Sequence, residues 1–223
     1  MNYLAENFKK MDPLDFEDCI LQIEKTFAVK FDDNDINKIN SFNDLTNLTT
    51  SYLNISQVDS CTSQQAFYKF KRAYLFTQNI NQKIKPSSLL EELFPKSNRR
   101  EQIKSIEQEL GFNLNMLEPP AWITYSLLGI FVLSCILLFD NTFYGVSGLL
   151  ISIFGFYFAF KFGNTLTYHH VSDLIRSILQ TNYHLCRSSE SYNPKEIEKI
   201  IIEIFTDNLY LERDKFDSNT SFS

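Results

Sequence analysis

Two apolar runs separated by three residues constrain this chain more than any other feature. Ala121 to Phe139 is nineteen residues without a charge, and Phe143 to Phe160 is eighteen more. At about 1.5 Å per residue each run spans roughly 27–28 Å as a helix, close to the hydrocarbon thickness of a bilayer. Only Asp140-Asn141-Thr142 joins them. So short a polar link forces an antiparallel helical hairpin, with both flanking segments on the same side. Trp122, Tyr125, Tyr144 and Tyr157 fall near the span ends, where amphipathic rings prefer the membrane interface.

Orientation follows from the basic residues. Arg99, Arg100 and Lys104 precede the first span and Lys161 follows the second, whereas the turn carries only Asp140. The positive-inside rule then puts both termini in the cytoplasm, as in a two-span inner-membrane protein of bacterial type. In that topology the N-x-S/T sequons at Asn47, Asn54 and Asn219 are never glycosylated. No signal peptide is expected, because Lys9-Lys10 leads into Met11-Asp12-Pro13 and not into an apolar run.

Composition narrows the function classes. The net charge of −6 argues against a general nucleic-acid binder. Cys19, Cys61, Cys135 and Cys186 form no CxxC pair, so reduced thiols are expected and not a metal or redox motif. His169 and His170 are adjacent and do not share a helix face. Asp32-Asp33-Asn34-Asp35 lacks the glycine and closing glutamate of a calcium loop. No G-x-S-x-G, H-E-x-x-H or phosphate-cradling glycine motif occurs. The spans carry no ionisable side chain that would mark a transport path. No catalytic residue, cofactor or metal is expected, and the chain does not read as an enzyme.

The soluble parts read as helices. Asp12 caps a helix with Pro13 at its first position, and Phe16, Ile20, Ile23 and Phe27 then line one face. Ser41 to Asp44 opens a short helix with Leu45 and Leu48, and Thr62-x-x-Gln65 opens one with Phe67, Phe70 and Tyr74. Ser88-x-x-Glu91 starts a turn or two that Pro95 stops. Asn98-x-x-Glu101 starts a helix with Ile103, Ile106 and Leu110 inward and Gly111 as its stop. Val171 to Leu179 and a last helix opened by Asn193-Pro194 follow, the latter with Ile197, Ile200, Ile201, Ile204 and Phe205 on its inner stripe.

Residues 1–60 hold five basic and eleven acidic side chains, whereas residues 61–117 hold nine basic and five acidic. The predicted organisation is therefore an acidic helical segment (1–60), a basic helical subdomain with a Pro119-Pro120 elbow (61–118), the hairpin (119–163) and a C-terminal helical segment (164–223). The fold class is all-α. Within the hairpin, Gly148 and Ser152 form a small-xxx-small pair that permits close helix packing.

Asp12-Pro13-Leu14-Asp15, then Ile23-Glu24-Lys25-Thr26-Phe27-Ala28-Val29-Lys30-Phe31, Asp32-Asp33-Asn34-Asp35-Ile36 and Ser41-Phe42-Asn43-Asp44-Leu45, resemble the later half of an acyl carrier protein. The match runs from that family's Asp-Ser-Leu motif onward. Pro13 stands where the family has the serine that accepts phosphopantetheine, so the attachment hydroxyl is missing. Glu196 to Phe205, then Leu209 to Phe216 and Asn219 to Phe222, resemble the family's first helix and following loop, so the two halves occur in circularly permuted order. His170-Val171-Ser172-Asp173-Leu174 resembles a second copy of the family's last helix. Residues 61–117, with Cys61 to Tyr68 and Asn98-Arg99-Arg100, are similar to bacterial carrier-like proteins.

The resemblance implies that the first helix is a recognition helix and that Asp15, Glu17, Asp18 and Glu24 on its exposed side contact a protein partner. Lys96, Arg99, Arg100 and Lys104 admit three readings: a topology signal, a contact for anionic lipid heads, or a dock for an acidic partner. The functional expectation is a membrane-tethered adaptor whose partners are the bilayer and another protein. The alternatives are a membrane immunity protein against a toxin and an accessory factor in acyl-group metabolism. If the core is carrier-like, the 16–27 face packs on the 197–205 face and Phe222 lies near Asp12. The competing arrangement uses Val171 to Leu179 as the partner of the first helix and leaves the C-terminal helix for another molecule.

Overall fold

A computed structural model describes residues 12–53, 56–57, 61–79, 82–187 and 191–209. Among these residues the chain forms ten helices and no strand longer than two residues. It divides into a terminal unit, Met1–Arg72 with Ile175–Ser223, and a central unit, Ala73–Leu174. The boundary expected near Cys61 does not coincide with this division. The charge balance changes there, but packing follows the apolar faces, and the elements 62–78 and 171–186 each straddle the division.

The terminal unit is built from both ends of the chain. Helix α1 (Pro13–Phe27) starts as the sequence predicts: Asp12 Oδ1 accepts from Leu14 N at 3.0 Å, with Pro13 in the first turn. It ends at Ala28, whose φ of 55° is left-handed and whose N–H donates to Glu24 O. Helix α2 (Asp33–Ile36) is a single turn capped by Asp32. Helix α3 (Phe42–Leu53) carries Phe42, Leu45, Thr46 and Thr49 inward. Helix α4 (Thr62–Gln78) follows, then helix α9 (Val171–Cys186), whose geometry breaks at Asn182, and helix α10 (Pro194–Asn208), capped by Asn193. The strands β1 (Ser56–Gln57) and β4 (Ser191–Tyr192) pair in parallel.

Helix α10 is the centre of this unit. From Ile200 to Thr206 every residue is buried, including Ile202, Glu203 and Thr206, which lie off the predicted stripe. The second half of the helix is thus enclosed on most sides, polar positions included. Phe205 meets the rings of Phe42 at 5.1 Å and Phe16 at 6.0 Å. The 16–27 and 197–205 faces therefore do pack together. Helix α1 also meets the later part of α9, beyond Leu179: Phe27 meets Tyr183 at 5.1 Å, and the Thr26 hydroxyl donates to Gln180 O. The competing arrangement, which leaves the C-terminal helix without an intramolecular partner, is not the one formed, because α10 is buried against α1 and α3. Full burial of each Ile or Phe contributes about 1.5–3 kcal/mol. The expected approach of Phe222 to Asp12, and the resemblance beyond Leu209, lie outside the described residues.

The central unit has a small soluble core below the hairpin. Helix α5 (Leu90–Leu93) and helix α6 (Arg99–Leu110) bury Leu90, Leu93, Ile103, Ile106 and Leu110. Tyr74 donates to Leu93 O at 3.0 Å and meets the Phe94 ring edge-on. Ser88 and Asn98 do not cap these helices as predicted; Ser88 Oγ accepts from Lys85 N, and neither helix has a side-chain cap. Gly111 ends α6 at φ 80°, a left-handed value that glycine adopts without penalty.

Helix α7 (Ala121–Asp140) and helix α8 (Thr142–Phe162) form the hairpin, each long and apolar enough to cross a membrane. Their contact is lined by small residues. A Cβ at Gly148 would overlap Ser134 Oγ; one at Gly155 would come within 2.5 Å of Leu127, and one at Gly145 within 2.7 Å of Leu138. Ser134 and Ser152 are buried in this seam, where each hydroxyl donates to a carbonyl one turn back, Ile130 O and Gly148 O. The register continues beneath the helices, where β2 (Leu117–Glu118) pairs antiparallel with β3 (Thr165–Leu166). Gly163 passes so near Glu118 that a Cβ would come within 2.5 Å of its carbonyl carbon.

Candidate functional site

Three places in the described residues gather polar or charged side chains, and each is set by local geometry. The first is the outer face of α1. Asp15, Glu17 and Asp18 are exposed there, as the sequence predicts. Leu14 and Leu21 are exposed among them, at 68% and 48%, although both are large and apolar. Positions 14, 17, 18, 21 and 25 follow helical spacing, so this is one stripe of two leucines, two acids and Lys25. A shallow cavity of about 380 Å³ beside it is lined by Asp15, Asp18, Gln22, Asn208 and Leu209.

Glu24 does not belong to that face. It is buried, at 7% exposed, and Glu24 Oε1 accepts from Phe31 N at 2.7 Å while Oε2 pairs with Lys30 at 2.9 Å. The carboxylate holds the chain that follows α1, and this use turns it inward. The hydrogen bond to Glu24 holds the Lys30 ammonium above its ordinary range.

The second place is the base of the hairpin, at the end away from the turn. The sequence suggests Arg99 for a docking surface, but it is 2% exposed. Its Nε donates to Phe94 O at 2.8 Å and its Nη1 to Asn164 O at 2.7 Å. The guanidinium thus ties α6 to the segment leaving α8, and that role requires burial. Burial pushes Arg99 below the usual guanidinium range, though arginine keeps its proton. Arg100 is exposed and reaches the same segment. Its guanidinium donates to Gly163 O at 3.3 Å and to Lys161 O, and lies 5.6 Å from the Phe162 ring centre. These bonds satisfy carbonyls that a helix C-terminus leaves without partners, and they place cations at its negative end. Lys161 stands over the Tyr157 and Phe162 rings at 5.5 and 5.9 Å.

The third place has no counterpart among the sequence expectations. In the terminal unit, Glu196 Oε1 and Oε2 accept from Thr62 N at 2.8 and 3.0 Å. Arg187 Nη1 donates to Thr62 Oγ1 at 2.5 Å and to Tyr183 Oη at 3.2 Å, and lies 3.6 Å from Glu196 Oε2. The acid of α10's first turn thus caps α4, a different helix. Thr62, expected to cap its own helix, has its hydroxyl in this network. Burial pushes the Tyr183 hydroxyl above the usual phenol range. An acid in a first turn gives no sign in the sequence of which helix it serves.

Three further titratable groups have defined partners. Asp35 pairs with Lys38 at 2.8 Å and accepts from Tyr52 Oη at 3.0 Å, which holds it below the usual carboxylate range. Asp173 accepts from His170 N at 3.1 Å, and His184 Nδ1 lies 3.1 Å from Thr26 O. Among the described residues no group of three His, Cys, Asp or Glu side chains is arranged to hold a metal ion.

Comparison with family models, with curated proteins and with solved structures gives no match. What the fold defines is an all-helical chain with a hairpin of two membrane-length helices. These comparisons identify no relation to acyl carrier proteins.

Proposed function

We propose that this chain is a membrane-tethered, non-enzymatic adaptor. The hairpin sits in the inner membrane, both soluble ends face the cytoplasm, and the outer stripe of α1 docks a protein with a basic, partly apolar surface. The observation that carries this reading is the stripe itself. The core of the terminal unit already covers Ile20, Ile23 and Phe27, yet Leu14 and Leu21 remain uncovered between Asp15, Glu17 and Asp18. Apolar anchors flanked by mainly acidic charge give affinity at the centre and partner choice at the rim. A carrier-like ancestry, with the recognition helix kept and the acceptor serine replaced by Pro13, accounts for the same stripe. The packing of α1 on α10 supports such a permuted core.

The test is site-specific photocrosslinking in cells from position 21 of the full chain. A single protein adduct that disappears with Glu17→Lys/Asp18→Lys is expected. An adduct indifferent to that charge reversal, or none at all, would overturn the docking face. Reporter fusions at Met1 and Ser223 test the topology separately, and an external signal from either end would overturn it.

A further inference from the structure

Four cations converge where the hairpin leaves its apolar span. Lys161 closes α8, and Arg100 is bound to its carbonyl and that of Gly163. Lys96 is brought to the same place, because its carbonyl accepts from Asn164 Nδ2 at 3.0 Å. Lys104 lies one turn beyond Arg100 on the same face of α6. Lys96, Arg100, Lys104 and Lys161 are all exposed. Among the described residues none of the four has an ion-pair partner. The buried Arg99, hydrogen-bonded to the carbonyls of Phe94 and Asn164, adds a fifth charge.

Arg100 and Lys104 also line an open cavity of about 900 Å³, with Ile103, Phe112, Met116 and Leu117 among its apolar walls. Two carboxylates share that lining. Glu107 is engaged by Leu114 N at 2.7 Å, and Glu101 is set about 100° around the helix from Arg100. The height of this place relative to the spans is fixed by register. Leu117 leads through Pro119-Pro120 into α7, and Trp122, Tyr125 and Tyr157 ring the same end of the hairpin, all exposed. Such rings mark headgroup level, and headgroup level is where lipid phosphates lie.

We infer that the base of the hairpin binds the phosphate of an anionic phospholipid, held by Arg100, Lys104 and Lys161, with the start of its acyl chains against the apolar wall of the cavity. This rests on the hairpin being inserted in a bilayer, a part of the function proposed above. Basic side chains that only set topology would be content with any lipid; this arrangement selects a charge.

The test uses the full chain in mixed micelles containing equal amounts of phosphatidylglycerol and phosphatidylcholine, with retained lipids counted by native mass spectrometry. At least about a tenfold preference for phosphatidylglycerol is expected, reduced about fivefold for each lysine removed in Lys104→Gln and Lys161→Gln. These variants leave the Arg100 and Arg99 bonds to the backbone in place. Equal retention of the two lipids, an undiminished preference in the double variant, or displacement of the lipid by inorganic phosphate alone would overturn the site. Flotation with pure phosphatidylcholine vesicles reads insertion independently. A chain that floats without lipid preference loses only this site, whereas a chain that does not float loses the membrane reading as well.

Discussion

Helices α8 and α10 are both rich in Ile and Phe, and the chain disposes of them in opposite ways. In α10 the run Ile200-Ile201-Ile202, with Ile204 and Phe205, is buried. In α8 the large residues Val146, Leu150, Ile151, Ile153, Phe154 and Phe158 are exposed, while Gly145 and Ser152 are buried. Charge already separates the two in the sequence, with six charged side chains in α10 against Lys161 alone in α8. In packing, what separates them is where the small residues fall. Water drives α10 to hide its large side chains. Helix α8 instead packs through the residues that let two backbones come close, as helices do where lipid removes that drive. The inside-out arrangement of the hairpin supports a bilayer more specifically than its length does.

The strongest way to break this contrast is to delete volume in the terminal unit. Phe205→Ala removes the ring that meets both Phe42 and Phe16. A loss of about 3–5 kcal/mol is expected, read as the urea midpoint of this unit's amide protection in detergent. The hairpin's protection should stay unchanged. A loss below about 1 kcal/mol would mean that α10 is not the centre of a packed core.

The reverse operation probes the hairpin, where adding volume should do the harm. Gly148→Leu forces a side chain onto Ser134, and overpacking of this kind costs about 1–3 kcal/mol. Gly129, also within a span, has nothing within 4 Å of the position that an added methyl would take. Gly129→Ala should therefore be neutral or stabilising, by up to about 1 kcal/mol. The thermal midpoint in mild detergent checks both. Equal effects at the two glycines would show that the seam is misplaced.

Alkaline pH should destabilise the terminal unit. In the terminal unit, burial pushes the Cys186 thiol up from 9.0 to about 11 and raises Cys19 and the Tyr183 hydroxyl as well. A group that holds its proton more tightly when folded stabilises the fold fully below its unfolded value, and that contribution is lost as pH rises through the folded value. For Cys186 the loss of about 3 kcal/mol falls between pH 9 and 11. Urea midpoints of the terminal unit should fall over this window, and Cys186→Val should flatten the slope. An unchanged slope in that variant would place the titration elsewhere.

The legible parts of the fold are those encoded by short-range rules. Two long uncharged runs and a three-residue link specify a hairpin, and Asp12-Pro13 and Asn193-Pro194 specify helix starts. Gly148 and Ser152 are visible as a pair, but their facing residue, Ser134, is not, because spacing along one helix does not identify the neighbour. The side-chain roles that elude the sequence are all long-range or inverted. Arg99 lies among basic neighbours yet is buried against carbonyls, one of them 65 residues away at Asn164. Glu24 follows the exposed Glu17 and Leu21 at helical spacing and still turns in, to hold Phe31 N. Glu196 caps a helix 134 residues distant. In the outer stripe of α1, the acids are legible as exposed, whereas Leu14 and Leu21 emerge only once the core shows which apolar residues it leaves uncovered.

The smallest effect expected concerns a backbone position that the apolar pattern says nothing about. Helix α1 ends on Ala28 at φ 55° and ψ 43°, with its N–H bonded to Glu24 O. An L-residue with a Cβ pays roughly 1–2 kcal/mol in this region, and glycine does not. Glycine loses more entropy on folding, which takes back part of the difference. Ala28 is exposed, so removing its methyl uncovers no packing. Ala28→Gly should therefore stabilise the terminal unit by about 0.5–1 kcal/mol, seen as a higher urea midpoint with an unchanged slope. Glu24 sharpens the expectation, since its carboxylate holds the Phe31 N–H three residues past the cap. If the left-handed turn and that bond form one cap, Glu24→Gln in the Ala28→Gly background should cost less than in the parent. Equal costs in the two backgrounds would make the turn and the carboxylate independent, and a destabilising Ala28→Gly would mean that the methyl limits the unfolded chain more than it strains the folded one.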